Sequence, residues 1–192
     1  MLSDSTMPPK RPGNSLASAS RAKRVKPSAR PVGVVEDVKV IKIPNPRGGR
    51  GAFTIAATRS AKIGDSGVID GVVYVVRSES QLRALIQGRK WGDVARTCTS
   101  KITNMRDLFQ DARSFNLDIG HWDTSSVRNM EGMFYGAAAF NQPIGGWNTS
   151  SVTKMSYMFN RTTAFNQPIG RWNTRSVTDM GGMFWGARAF NK

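Results

Sequence analysis

The sequence has little of the chemistry that most enzymes and metal sites require, with one cysteine and one histidine in 192 residues. One cysteine closes no internal disulfide, and with a single histidine beside it no ordinary Cys/His zinc cage forms within one chain. Cys98 reads as a small buried apolar residue. Acidic side chains are also scarce: 13 Asp+Glu stand against 28 Lys+Arg, a formal charge of +15. That imbalance points to an acidic partner, whether nucleic acid, an anionic membrane surface or an acidic protein, and says nothing about the fold. Long apolar runs are missing. The longest useful one, Val72 to Val76, is far short of the roughly 20 residues that span a bilayer, so no membrane span is expected. The opening thirty residues stay polar and basic, without the apolar segment of a secretory signal. Export by an ordinary signal is therefore not expected, and the compartment that fits is a virion or the cell interior, the nucleus included.

What is present divides the chain into three. Residues 1–50 carry 11 Lys+Arg and 3 Asp+Glu among many Pro, Ser and Gly, a composition that buries too little apolar surface to fold alone and reads as an extended basic arm. Within it Val38 to Ile43 has a short strand pattern stopped by Pro44 and Pro46, suited to pairing with another chain's sheet edge. Residues 51–90 read as a small hairpin-plus-helix cap. Asp70-Gly71 between Val68-Ile69 and Val72 to Val76 favours a tight hairpin turn. Ser78 with Gln81 three residues on predicts a capped helix whose apolar face is Leu82, Leu85 and Ile86, ended by Gly88.

Residues 91–192 are a repeat. At a period of 25, Ile102, Val127, Val152 and Val177 coincide, as do Met105, Met130, Met155 and Met180. So do Phe109, Phe134, Phe159 and Phe184, then Phe115, Phe140, Phe165 and Phe190, each of these followed by Asn, and Trp122, Trp147 and Trp172. A period in this range without insertions predicts units that bury their apolar faces only against their neighbours. Met130, Met133, Phe134 and Ala137 stand at the spacing of a short helix with Ser126 as its cap. Phe140 to Ile144 suits a short parallel strand, weakened by Pro143, so that the ladder runs either there or through the Ser-Val-Thr segment. Gly145 and Asn148-Thr149 mark a corner. The fold class expected is thus α/β, a short leucine-rich-repeat-like solenoid of about four 25-residue units preceded by the cap and the arm.

The runs Trp-Asn-Thr-Ser-Ser-Val-Thr-x-Met-x-x-Met-Phe and Ala-Phe-Asn-Gln-Pro-Ile-Gly resemble the BspA-like family, the bacterial surface protein 26-residue repeat related to leucine-rich repeats, over residues 91 to 192. The resemblance implies a repeat fold and a binding or structural role. Its members occur on bacterial surfaces, in protists and algae, and in large DNA viruses. Here a basic arm stands where a surface member has an export signal, which turns the expectation from a secreted adhesin to an intracellular or virion protein.

The arm's basic clusters carry two readings side by side. Lys10-Arg11 and Lys23-Arg24-Val25-Lys26 have the spacing of a bipartite nuclear import signal, and equally suit phosphate or acidic-protein contact. Arg47 and Arg50 belong to an Arg-Gly-Gly-Arg-Gly element able to grip a nucleic-acid backbone. No aromatic residue interleaves these clusters, so nucleic-acid contact would be salt-sensitive and sequence-neutral. In the repeat, the Met and Phe columns are core, and the informative positions are those that vary. Gln110, Tyr135, Asn160 and Trp185 form one such column and Arg113, Ala138, Thr163 and Arg188 another, both expected to face outward. Tyr135, Arg161, Arg171, Trp185 and Arg188 are the expected protein interface, since exposed aromatics and Arg supply most hot-spot energy; equally, Trp185 simply covers the last unit.

His121 aligns with Gly146 and Arg171, which reads as a surface histidine. Asp107 and Asp111 have glycine, tyrosine and arginine counterparts, which argues against a metal pair. No nucleophile has a plausible base and no phosphate loop is present, so no enzyme activity, cofactor or small-molecule substrate is expected. The final unit stops soon after Phe190 without a visible cap, which favours docking. The expected function is a structural or interaction protein of a large assembly, most concretely a minor capsid or virion component of a large DNA virus, with other assembly proteins as partners. The alternatives are a nuclear or nucleic-acid-associated adaptor using an import carrier, and a surface adhesin.

Overall fold

The computed structural model describes residues 38–45, 47 and 52–192. Strands β1 (Val40–Pro44) and β2 (Phe53–Ala57) pair antiparallel from Val40 opposite Ala57 to Pro44 opposite Phe53. The strand expected to seek another chain's sheet edge therefore pairs within its own chain, and Pro44 closes it at the end of the ladder, where a missing N–H costs least. Strands β3 (Ser66–Ile69) and β4 (Val72–Val76) form the expected hairpin. Asp70 and Gly71 both have positive φ, 51° and 78°, the requirement of a type I′ turn. Strand β5 (Thr97–Cys98) joins the other edge of β4 in parallel.

Helices α1 (Glu79–Gln87) and α2 (Trp91–Ala95) lie between β4 and β5. The Ser78 hydroxyl accepts from the Gln81 N–H and the Gln81 side chain accepts from the Ser78 N–H, a complete capping box. Gly88 stands at the C-cap with φ −75°, while Arg89 takes the left-handed turn at φ 53°. Its N–H reaches Ile86 O at 3.0 Å and that of Lys90 reaches Leu85 O at 2.8 Å, the two bonds of a Schellman end. The apolar face of α1, Leu82 with Leu85 and Ile86, packs on the repeat core.

The expected α/β solenoid, with a helix and a strand in every unit, is not what forms. The sheets are small and mixed, both helices are short and end before residue 96, and among the described residues 99–192 contain neither helix nor ladder strand. The physical reason lies in the backbone of the Met-x-x-Met-Phe segment. Gly132 and Gly136 have φ 59° and 67°, as do their repeat equivalents Asp107, Asp111, Tyr157, Arg161, Gly182 and Gly186 in the range 53° to 75°. A left-handed residue every fourth position is incompatible with a right-handed helix. It instead makes consecutive turns, such as Met133 N–H to Met130 O and Ala137 N–H to Phe134 O, with the positive φ at the third position as in a type II turn.

These turns stack as layers, 99–123, 124–148, 149–173 and 174–192. Isolated parallel bridges link Asn104, Asn129, Lys154 and Asp179, next to the Ser-Val-Thr segment and not at Phe140 to Ile144. There, the link is made by side chains: Asn116 Oδ1 accepts from the Asn141 N–H, Asn141 Oδ1 from the Asn166 N–H and Asn166 Oδ1 from the Asn191 N–H. The corner residues act as Asx turns, with Asn148 Oδ1 accepting from the Ser150 N–H at 3.2 Å. The buried hydroxyls of Thr99, Thr124 and Thr149 each donate to the last carbonyl of their own layer, those of Asp123, Asn148 and Asn173.

Aromatic rings fill the core as two ladders. Phe109, Phe134, Phe159 and Phe184 stack at 5.5 to 5.6 Å between layers, and Phe134 lies 4.0 Å from Phe140 within its own. Each such pair contributes about 0.5–1.5 kcal/mol beyond its burial. Trp147 and Trp172 donate their indole N–H to Ile119 O and Ile144 O. Trp122, in the first layer, has no such partner. A second, smaller cluster of Val40, Ile55, Val76 and Cys98 joins the sheets, and Ile55 bridges Trp122 in parallel.

Candidate functional site

The candidate interface residues gather unevenly. In the inner layers the methionine column is closed, Met105, Met130 and Met155 each being fully buried, whereas Met180 is 41% exposed and Trp185 63% exposed. Phe184 and Phe190, whose counterparts Phe159 and Phe165 are buried, are only half-buried. The layer 174–192 therefore presents an apolar side that nothing else among the described residues covers. Arg161, one layer earlier, places its guanidinium 5.1 Å from the Trp185 ring centroid, a cation–π contact on the surface. Arg188, three residues on from Trp185, is exposed on the same layer.

Tyr135 stands apart. It belongs to the same repeat column as Trp185 but two layers earlier, and it is half-buried. Its column does not face outward throughout: Asn160 is buried and donates to Gly182 O at 3.4 Å, correcting the expectation of an exposed position. Arg171 reaches the opposite way, Nη1 donating to Arg47 O at 3.4 Å. The two arginines flank a groove of about 390 Å³ with Pro143, Gly145, Pro168 and Gly170. Asn45 adds a bond from Nδ2 to Gly146 O at 3.0 Å, so Asn45 and Arg47 both lie against the middle layers. Of the arm residues, Lys10, Arg11, Lys23, Arg24, Lys26 and Arg50 lie outside the described residues.

At the other end of the stack a cleft of about 640 Å³ opens beside α1 and the first layer, lined by Arg83, Arg89, Asp107, Asp111 and Arg113 around Trp91 and Phe115. Asp107 and Asp111 do not converge as a metal pair. Their carboxylates cover the Cα positions of Gly132 and Gly136 in the next layer, where a side chain would collide. Among the described residues no three His, Cys, Asp and Glu side chains come together as a metal site, and no helix is long and apolar enough to cross a membrane.

His121 is not the surface residue its repeat position suggested. It lies between Phe53 and Tyr74, with ring centroids 6.4 and 5.6 Å away, and Nε2 donates to Ala95 O at 2.8 Å. Burial lowers its pKa, against the opposing pull of the Ala95 carbonyl and Asp118. Cys98 is buried as expected, its thiol pushed up by desolvation.

Sequence reasoning singled out Trp185 and Arg161 as an aromatic and an arginine at positions that vary between repeat units. It missed the left-handed positions, whose signal was the glycines at 132, 136, 182 and 186, and it missed the contact between Arg47 and Arg171, which no local pattern encodes.

Neither the curated proteins nor the solved structures contain a match to this chain. A family described as Mycoplasma protein of unknown function, DUF285, matches residues 81–192, from within α1 through every layer of the repeat. That match covers more than half of the sequence, and the chain belongs to this family.

Proposed function

We propose that this chain is a non-enzymatic interaction protein of a larger assembly, docking through the surface around Trp185 and Arg161. The observation that carries the reading is the exposed Trp185, with Arg161 against it, beside the half-buried Phe184 and Phe190. An aromatic ring and an arginine over an apolar floor is the composition of an interface hot spot. The finer assignment, a BspA-like repeat protein serving as a minor capsid or virion component, is supported by the repeat sequence together with the basic residues 1–50 as a tether. The import-adaptor reading is favoured by one observation, the paired clusters at Lys10-Arg11 and Lys23 to Lys26.

The test is photo-crosslinking in the native source with a photoreactive residue at Trp185 and, as control, at Val73, followed by mass spectrometry of the products. Protein adducts specific to position 185 are expected, and capsid-type proteins among them support the virion reading. Equal labelling from both positions defeats the docking face. Deletion of residues 1–37 then separates the tether from the import signal: the first loses incorporation into the assembly, the second loses nuclear accumulation.

A further inference from the structure

The cleft beside α1 and the first layer is separate from the surface around Trp185. Its volume of about 640 Å³ falls in the range of small-molecule sites, and three arginines line it. Arg83 is engaged, pairing with Glu79 at 3.0 Å and donating from Nη2 to Arg106 O at 2.8 Å. Arg89 and Arg113 are not: neither guanidinium has an ion pair or a hydrogen bond among the described residues. The carboxylates of the cleft are turned elsewhere. Asp107 pairs with Arg106 at 3.1 Å, and Asp107 and Asp111 each lay an oxygen over a glycine of the second layer. Arg89 also holds the left-handed position behind α1, at φ 53°, although Gly88 stands directly before it. Glycine takes that conformation without strain and arginine does not, and strain kept in this way marks functional positions.

The cleft has acceptors as well. Phe109 and Asp111 donate their N–H groups to Met133 O and Tyr135 O at 2.9 and 2.7 Å, and Phe134 and Gly136 repeat the pair onto Met158 O and Asn160 O at 2.9 and 2.8 Å. The equivalent carbonyls of the first layer are those of Leu108 and Gln110, two residues that line the cleft. Neither carbonyl has a donor among the described residues. Beside them stand Trp91, half-buried, and Phe115, with ring centroids 5.5 Å apart.

We propose that this cleft binds a nucleotide, either free or as one unit of a single strand. The phosphate lies on the guanidiniums of Arg89 and Arg113, the base against Trp91, and its exocyclic amino group donates to Leu108 O or Gln110 O. Guanidinium matches phosphate oxygens in geometry as well as charge, and stacking on an aromatic side chain holds a base of any sequence. The net charge of +15 draws an anionic ligand to the chain. Two other occupants fit worse. A divalent cation would meet three arginines, with both nearby carboxylates committed to the second layer. An acidic peptide answers the guanidiniums, but the carbonyls of Leu108 and Gln110 sit on consecutive turns, which an extended backbone does not match.

The experiment follows the Trp91 indole N–H resonance of the ¹⁵N-labelled full chain during titration with adenosine 5′-monophosphate, adenosine, ribose 5-phosphate, a short oligoadenylate and a Glu-rich peptide. Saturable shifting by the mononucleotide is expected. Ribose 5-phosphate is expected to bind at least about fivefold more weakly, for the lost stack, and adenosine at least about tenfold more weakly, for the lost charge-assisted bonds. Arg113→Gln, an exposed change, is expected to weaken the mononucleotide about tenfold without moving thermal unfolding, while Arg128→Gln on the second layer leaves binding as it was. Tighter binding of the oligoadenylate assigns the site to a strand, and equal or weaker binding to free nucleotide; either supports the proposal. Absence of a saturable shift overturns it, as does adenosine, ribose 5-phosphate or the Glu-rich peptide binding as tightly as the mononucleotide. Full affinity in the Arg113→Gln chain overturns it too.

Discussion

The Arg161 guanidinium lies over the indole ring of Trp185, 5.1 Å from its centroid, although the two residues belong to successive layers. Arg161 occupies a left-handed position at φ 56°, where its equivalents in the second and fourth layers are glycine. Its side chain covers Gly186 of the next layer, and this is what brings the charge to the ring. The pair is thus built by the layer geometry and is available to a partner at the surface.

Trp185→Ala is expected to abolish position-specific docking, lowering partner affinity at least about tenfold, as hot-spot aromatics do. Thermal unfolding is expected to move little, because the ring is mostly exposed. A loss of binding that tracks a comparable loss of stability would assign Trp185 to the fold instead.

Phe134→Ala removes a ring stacked on Phe109, Phe140 and Phe159 and is expected to cost roughly 3–5 kcal/mol in urea unfolding. Phe184→Ala, in the same column but half-buried, is expected to cost clearly less. Equal costs would mean that the last layer is covered in solution.

Gly132→Ala puts a methyl group into the space of the Asp107 carboxylate at a positive φ and is expected to cost roughly 1–3 kcal/mol. Adding Asp107→Gly clears the collision and leaves the backbone strain, so the double variant is expected to recover part of that loss. The double-mutant cycle reads the contact directly.

His121 has a folded pKa below its ordinary value of 6.5, so the unfolded chain takes up its proton first. Stability is therefore full above about pH 6.5 and falls as the pH drops below it. As the chain has a single histidine, His121→Phe is expected to flatten the stability profile between pH 7.5 and 5. A profile unchanged by that substitution would place the titration elsewhere.

Cys98 is buried with a raised thiol pKa, and thiolate is the reactive form. A thiol reagent at neutral pH is expected to label it only as the sheet region opens, so the labelling rate follows denaturant stability. Fast labelling of the native chain would contradict its burial.

Much of this was legible in the sequence. Asp70-Gly71 specified its turn, Ser78 and Gln81 their capping box, and the Phe and Trp columns the stacked core. The helix over Met130 to Ala137 failed because consecutive turns place apolar residues at the same three- and four-residue spacings as a helix does. The glycine columns at 132 and 136 distinguish the two, yet their equivalents Tyr157 and Arg161 hide the requirement by adopting it at a cost. The strand pattern at Val38 to Ile43 was recognised, though the strand runs Val40–Pro44, and its partner Phe53–Ala57 was not, since no local pattern encodes that pairing. Trp185 and Arg161 were visible as an aromatic and an arginine in columns that vary.

The asparagine ladder at Asn116, Asn141, Asn166 and Asn191 gives the molecule a unit of length. Each rung uses the same side-chain oxygen and the same main-chain N–H as the one before, so duplicating or excising one whole 25-residue segment restores the register on both sides of the junction. A change of any other size misaligns every rung beyond it. In gene recombination the stack therefore grows or shrinks by whole units, with the α1 end and the last layer's open side carried along unchanged.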